Sequence, residues 1–250
     1  MFDSRSASVD LRRMKAKQVS AVLFICIFLF FSNLLFSQTP KKYFDPGSIS
    51  EEHYAALKIE FGKYKKIPPS IEKPILIALS YYPELKNTPI RFRIKKRHTP
   101  LQTRASWVGL FKRKEIRDYV ITISDTTEQM LMPVLFKNVP FNLQIGVAGH
   151  ELAHVADFST YSSLRLIWHG IKNISPKYID RFEFKTDSIC IAHGLGYQLL
   201  AWSGNLRKKM NSTNWRGPDY AHKPQNTERY MNPATIQQRI NISPLYHSSE

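Results

Sequence analysis

Apolar and polar positions along this chain change period several times, and each change marks an element. Tyr54, Leu57 and Phe61 recur at helical spacing within residues 51–65, and a second apolar helix is predicted over residues 71–82. The period then drops to two: Ile90, Phe92 and Ile94 alternate with Arg91, Arg93 and Lys95, which predicts a half-buried strand with one basic face. Two further strands are expected at residues 105–111 and 119–124, joined by the polar turn Lys112-Arg113-Lys114-Glu115. Helical spacing resumes at residues 127–136. It continues after Pro140, where Asn142 reads as an N-cap and Leu143, Val147, Ala148, Leu152 and Val155 share one face of a half-buried helix. Ser175-Pro176 is a cap and first-turn pair opening a helix through Glu183 and Asp187 to at least His193, with Gly194 and Gly196 interrupting it before residues 197–202. Residues 205–250 are polar, with one helix starting at Asn232-Pro233, and no internal repeat is present. The order predicts an α+β fold: a small, mostly antiparallel sheet followed by helices.

The N-terminus has a different character. Arg12, Arg13, Lys15 and Lys17 precede an uncharged run from Ala21 to Phe31, then Ser32, Asn33 and a second apolar patch to Phe36. Residues 1–38 therefore read as a secretory signal, with Met14 as an alternative initiator. The stretch from Val19 to Phe36 is also long enough for a slightly short uncleaved anchor. Either alternative exports the chain, to a periplasmic or extracellular place, released or held at the membrane through this segment. Residues 39–50 read as a linker and residues 51–250 as one domain. Cys26 falls within the apolar run, so an exported domain would keep only Cys190 and must rest on a core rather than a disulfide.

The chain of 250 residues carries 36 Lys and Arg against 20 Asp and Glu. Without residues 1–38 the balance is still 31 to 18, so the domain itself is basic. Ten of the basic residues and one acid lie between Arg91 and Arg117. An anionic envelope surface or an acidic polypeptide is a partner such a charge can recruit, but charge alone does not choose among anionic partners.

Chemistry concentrates in His150-Glu151-Leu152-Ala153-His154. Composition alone would yield about 0.01 such HExxH matches in a chain of this size, so the surrounding helix gives the motif weight. Residues i and i+4 share a helix face, which lets His150 and His154 grip one Zn²⁺ while Glu151 reaches a water beside it. Gly146 and Gly149 each cost the helix roughly 1 kcal/mol relative to Ala, which points to a close packing partner there.

A catalytic zinc takes a third protein ligand. A metzincin would need glycine at position 157 and histidine at position 160, where this chain has Asp157 and Thr160. A peptide deformylase would need an upstream cysteine ligand, and none lies between Cys26 and the motif. Two candidates remain, Glu183 and His169. Glu183 followed by Asp187 resembles the ExxxD helix of gluzincins, in the CAAX prenyl protease type and its soluble exported relatives. That resemblance implies a zincin-like fold and a zinc metallopeptidase acting on polypeptide. It also implies Glu183 as third ligand, Asp187 as the carboxylate orienting a ligand imidazole, and substrate backbone on an edge strand, here expected at residues 119–124. Asn232-Pro233 through Arg239-Ile240 faintly resembles an HPxxxxRI segment of that protease type, with Asn232 where the family has His. His169-Gly170 instead resembles the HExxH…HG arrangement of SprT-like proteases, which act on DNA-linked proteins; export argues against nucleic acid as a partner. Asp157 is a weaker outer carboxylate than Asp187. Tyr230, His222, His193 and Arg239 are candidates to stabilise an oxyanion, with Tyr230 preferred. The competing class is a basic zinc-containing module that binds an anionic surface without turnover, against which the intact Glu151 argues.

Overall fold

The computed structural model describes residues 38–210 and 228–247. The N-terminal basic and apolar segment and His222 lie outside them. Among the described residues, no helix is long and apolar enough to cross a membrane. The fold is α+β, mostly helical, with one small mixed sheet.

Ser50 caps α1 (Glu51–Phe61) by accepting from the His53 amide, and Tyr54, Leu57 and Phe61 face inward at their predicted spacing. Helix α2 (Glu72–Ser80) is buried from Pro74 onward. The sheet contains β1 (Lys65–Lys66), β2 (Ile90–Ile94), β3 (Leu101–Ala105) and β4 (Tyr119–Ile123) in the order β1-β2-β4-β3. The remaining helices are α3 (Phe141–Ser159), α4 (Ser163–Lys172), α5 (Pro176–Cys190), α6 (Gly196–Lys209) and α7 (Pro233–Ile242).

Several expectations change. β1 and β2 pair in parallel, as do β2 and β4, and only β3 runs antiparallel, against β4. The sheet is therefore mixed rather than mostly antiparallel. Alternation tells which face of a strand is buried, whereas direction depends on how the connections cross. β4 is central, with β2 on one side and β3 on the other, so residues 119–124 are not the available edge; β3 is. The strand expected at residues 105–111 is displaced to Leu101–Ala105. Ser106 Oγ accepts from the Gly109 amide at 2.8 Å and turns the chain into a short 3₁₀ segment, Gly109–Phe111. The helix expected at residues 127–136 is 3₁₀ over Gln129–Val134, with Pro133 inside it and no amide there to donate.

Helix α3 is the centre of the fold and is buried on nearly all sides, more than its predicted half. Ile145, Leu152, Ala153 and Val155 are fully enclosed, and burying each of the larger side chains contributes about 1.5–3 kcal/mol. Pro140 occupies the N-cap. Asn142 instead ties distant segments together, because its Oδ1 accepts from the Phe44 amide at 2.9 Å and from Gln198 Nε2 at 3.3 Å. Together with buried Phe44, this bond fastens the segment read as a linker to the domain. Helix α5 ends at Cys190 and passes into a π-type turn, Ile191–Leu195, where Gly194 adopts φ 93°. That backbone conformation disfavours any side chain with a Cβ, and it redirects the chain into α6.

Candidate metal centre

Two glycines let other elements close on α3. A Cβ on Gly146 would stand 2.4 Å from the Gln198 carbonyl oxygen of α6, and one on Gly149 would stand 2.5 Å from Leu195 Cδ1 in the π-type turn. The helix-propensity cost of both residues is therefore offset by close approach, as their placement beside the motif suggested.

Across the space so defined, α5 faces α3. His150, His154 and Glu183 each present a ligand atom, all within 4.8 Å of one another. Glu183 Oε2 lies 3.1 Å from His150 Nε2 and 3.3 Å from His154 Nε2. Metal bonds of ~2.0–2.1 Å at a tetrahedral angle place ligand atoms about 3.3 Å apart, which the two histidine–Glu183 separations match, and this group could hold a metal ion.

The other ring nitrogens have partners that set the tautomers. His150 Nδ1 lies 2.8 Å from Asp187 Oδ1 and donates to it. The Thr186 hydroxyl has a single proton, which goes to the Phe182 carbonyl at 3.0 Å; it therefore accepts from His154 Nδ1 at 3.1 Å. Both imidazoles thus keep a proton on Nδ1, and the Nε2 atoms that face the Glu183 carboxylate are the ones that would offer lone pairs to a cation seated between them. Burial pulls the His150 pKa down, but hydrogen bonds to the Asp187 and Glu183 carboxylates outweigh it and hold the group well above the ordinary imidazole value. Burial likewise acts to raise Glu183, yet the His154 charge and the His150 and His154 hydrogen bonds hold it well below the usual carboxylate range. An enclosure that keeps a buried carboxylate ionised and raises the proton affinity of His150 is arranged for positive charge.

The centre opens into a cavity of about 460 Å³, whose lining includes Gln102 and Thr103 of β3, His150, Glu151, Glu183 and Tyr230. Thr103 Oγ1 donates to Glu151 Oε2 at 2.5 Å and so fixes that carboxylate beside the edge strand. Opposite, residues 228–232 form a roof. Asp187 Oδ2 accepts from the Met231 amide at 2.7 Å, so one carboxylate orients His150 and anchors the roof together. Arg229 Nε donates to Asp180 Oδ1 at 2.8 Å, and Arg207 of α6 donates to Asn232 Oδ1 at 2.7 Å and to the Met231 carbonyl at 3.3 Å. The Tyr230 ring is thereby held 5.8 Å from that of His150. Burial, and then the Glu183 charge, push its hydroxyl pKa well above the ordinary phenol value, which keeps it a donor.

The other sequence candidates stand elsewhere. His169 is outside the group: its Nδ1 is 2.9 Å from the Tyr178 hydroxyl and its Nε2 3.2 Å from Asn173 Nδ2, and its ring packs on Phe182. Asp157 accepts from Lys185 at 2.6 Å and from the Tyr161 hydroxyl at 2.8 Å, in a structural ion pair. His193 stacks on Tyr82 and reaches Glu84, and Arg239 lies over the Phe184 ring. Asn232, at the histidine position of the resembled segment, serves Arg207 and Glu228. Sequence reasoning missed Thr103, Thr186 and Arg207. Thr186 lay within reach, three residues after Glu183 on the face that carries the acids; Thr103 gave no signal, because its strand was displaced.

No protein-family model, curated protein or solved structure matches the chain.

Proposed function

We propose that this protein is a zinc-dependent endopeptidase of gluzincin type, with a zincin-like arrangement of α3, α5 and β3. The observation that carries the reading is the convergence of His150, His154 and Glu183, with Glu151 held beside them on the same cleft and next to an edge strand. Zn²⁺ suits two imidazoles and a carboxylate, and when bound it supplies Lewis acidity toward water and the scissile carbonyl. His150, His154 and Glu183 hold it, with Asp187 and Thr186 fixing the imidazole orientations. Glu151 takes a proton from the attacking water and returns it to the leaving amine, a role its place outside the ligand group leaves open to it. Tyr230 donates to the oxygen on which negative charge develops. The free edge of β3 offers main-chain donors and acceptors to an extended polypeptide. Within this reading the N-terminal segment delivers the enzyme outside the cytoplasm.

The test is metal analysis and proteolysis with the purified protein. One zinc per chain and cleavage of unfolded polypeptide are expected. Glu151→Gln should keep the metal while lowering turnover about 10²–10⁴-fold. Full activity in Glu151→Gln would refute the mechanism, and stoichiometric zinc without turnover in the parent protein would favour the non-catalytic binding module.

A further inference from the structure

Helix α4 turns its apolar stripe toward solvent. Leu164, Ile167, Trp168 and Ile171 follow the i, i+3, i+4, i+7 spacing of one helix face, and all four are exposed, Leu164 at 80%. The opposite face is the one packed inward, through Leu166 and His169. Next to α4 the turn after β3 does the same: Trp107 is 72% and Phe111 85% exposed. The two surfaces are locked together by Arg117, itself 1% exposed. Its guanidinium donates to the Gly109 and Tyr161 carbonyls at 3.2 and 2.7 Å and to Ser163 Oγ at 3.1 Å. Ser163 in turn donates to the Lys112 carbonyl at 3.2 Å. Phe111 and Leu164 each adjoin that joint, so the exposed side chains belong to one rigid region.

The charge of α4 has one sign. From residue 158 to residue 179 the sequence holds Arg165, Lys172 and Lys177 and no acid. The exposed tryptophans each carry a cation: Arg104 lies 5.1 Å from the Trp107 ring centroid and Lys172 5.4 Å from that of Trp168. Apolar side chains flanked by Lys and Arg, with tryptophan between them, match the layering of a bilayer surface, where acyl chains lie beneath anionic headgroups. We propose that the outward face of α4, with the Trp107–Phe111 turn beside it, seats this protein on an anionic membrane surface. The apolar stripe enters the headgroup boundary, and Arg165, Lys172 and Arg104 meet lipid phosphates. This docking is independent of the N-terminal segment and of the peptidase reading.

The experiment uses the full chain with Cys26→Ser, leaving the buried Cys190, and one new labelling site for an environment-sensitive dye. The sites are Ile171→Cys on the proposed face and, as a control, Ile59→Cys, exposed on α1. Each protein is mixed with phosphatidylcholine vesicles, with or without phosphatidylglycerol and a shallow doxyl-lipid quencher. The expected result is a blue shift and several-fold stronger quenching at position 171 than at 59, dependent on phosphatidylglycerol and reduced roughly 10-fold or more in apparent affinity by Arg165→Gln with Lys172→Gln. Equal quenching at both positions would mean tethering through the N-terminus alone and would overturn the proposal. A shift at 171 that follows protein concentration without vesicles would overturn it in favour of a second copy of the chain.

Discussion

Helix α5 brings Asp187 and Thr186 into the interior at 2% and 0% exposure, whereas α4, immediately before it, leaves most of its large apolar side chains in water. Each helix departs from the inside-outside rule in the opposite direction, and each departure has a physical consequence. A carboxylate removed from water must be paired. Asp187 therefore accepts from His150 and from the Met231 amide, and Glu183 lies against both imidazoles of the motif. Apolar groups left in water gain nothing from folding, and a contiguous set of them marks a surface that another phase or molecule covers. The pair of helices teaches where to look for function: on α5 in the polar groups that burial singles out, on α4 in the apolar groups that exposure singles out.

The sharpest way to break the comparison is to remove the polar groups of α5. Glu183→Ala should empty the centre of zinc, Asp187→Ala should weaken binding about 10–100-fold and Thr186→Val should fall at the lower end of that range, because both latter residues act through an imidazole. His169→Ala on α4 should leave zinc nearly unchanged. Zinc content of folded variants after dialysis against a mild chelator reads the whole series; metal lost from His169→Ala and kept by Glu183→Ala would transfer the third-ligand role to the SprT-like candidate.

The two faces of α4 supply the next contrast. Leu166→Ala, on the packed face, should cost about 2–5 kcal/mol in chemical denaturation. Leu164→Ser, close in sequence but exposed, should stay within about 0.5 kcal/mol. A large loss from the exposed position would mean that the stripe is part of the fold and not a surface awaiting a partner.

Acid exposes the interior side of α4 in a milder way. Burial, reinforced by the His154 charge, holds His169 at about 4, below the ~6.5 expected for the unfolded chain. Between those values the unfolded state binds more protons, so stability rises with pH through the window and is lost as pH falls from about 6.5 toward 4. Denaturation midpoints for the parent protein and His169→Gln should converge on acidification if His169 is the source, and stay parallel if it is not.

Much of the site was legible in the sequence, because it is written in helix-local spacing. His150 and His154, and Glu183 and Asp187, are each four residues apart, and a helix brings such pairs onto one face whatever surrounds it. The inward residues of α1, the α+β order and the packing role of Gly146 and Gly149 rest on equally short-range patterns. Thr103 and Arg207 did not show, since their partners Glu151 and Asn232 lie across elements and no local period connects them.

What the sequence by itself determined is therefore the inventory: most of the helices, and which of their faces carry imidazole or carboxylate. Only the tertiary structure decided how that inventory is arranged. It made the sheet mixed, with β3 rather than β4 at the edge, and it put Glu183 rather than His169 against the histidine pair. It also turned the apolar stripe of α4 outward. Strand direction, edge position and the side of a helix that meets a neighbour are set by long-range contacts among elements, so periodicity, which reports only each element's own two faces, cannot specify them.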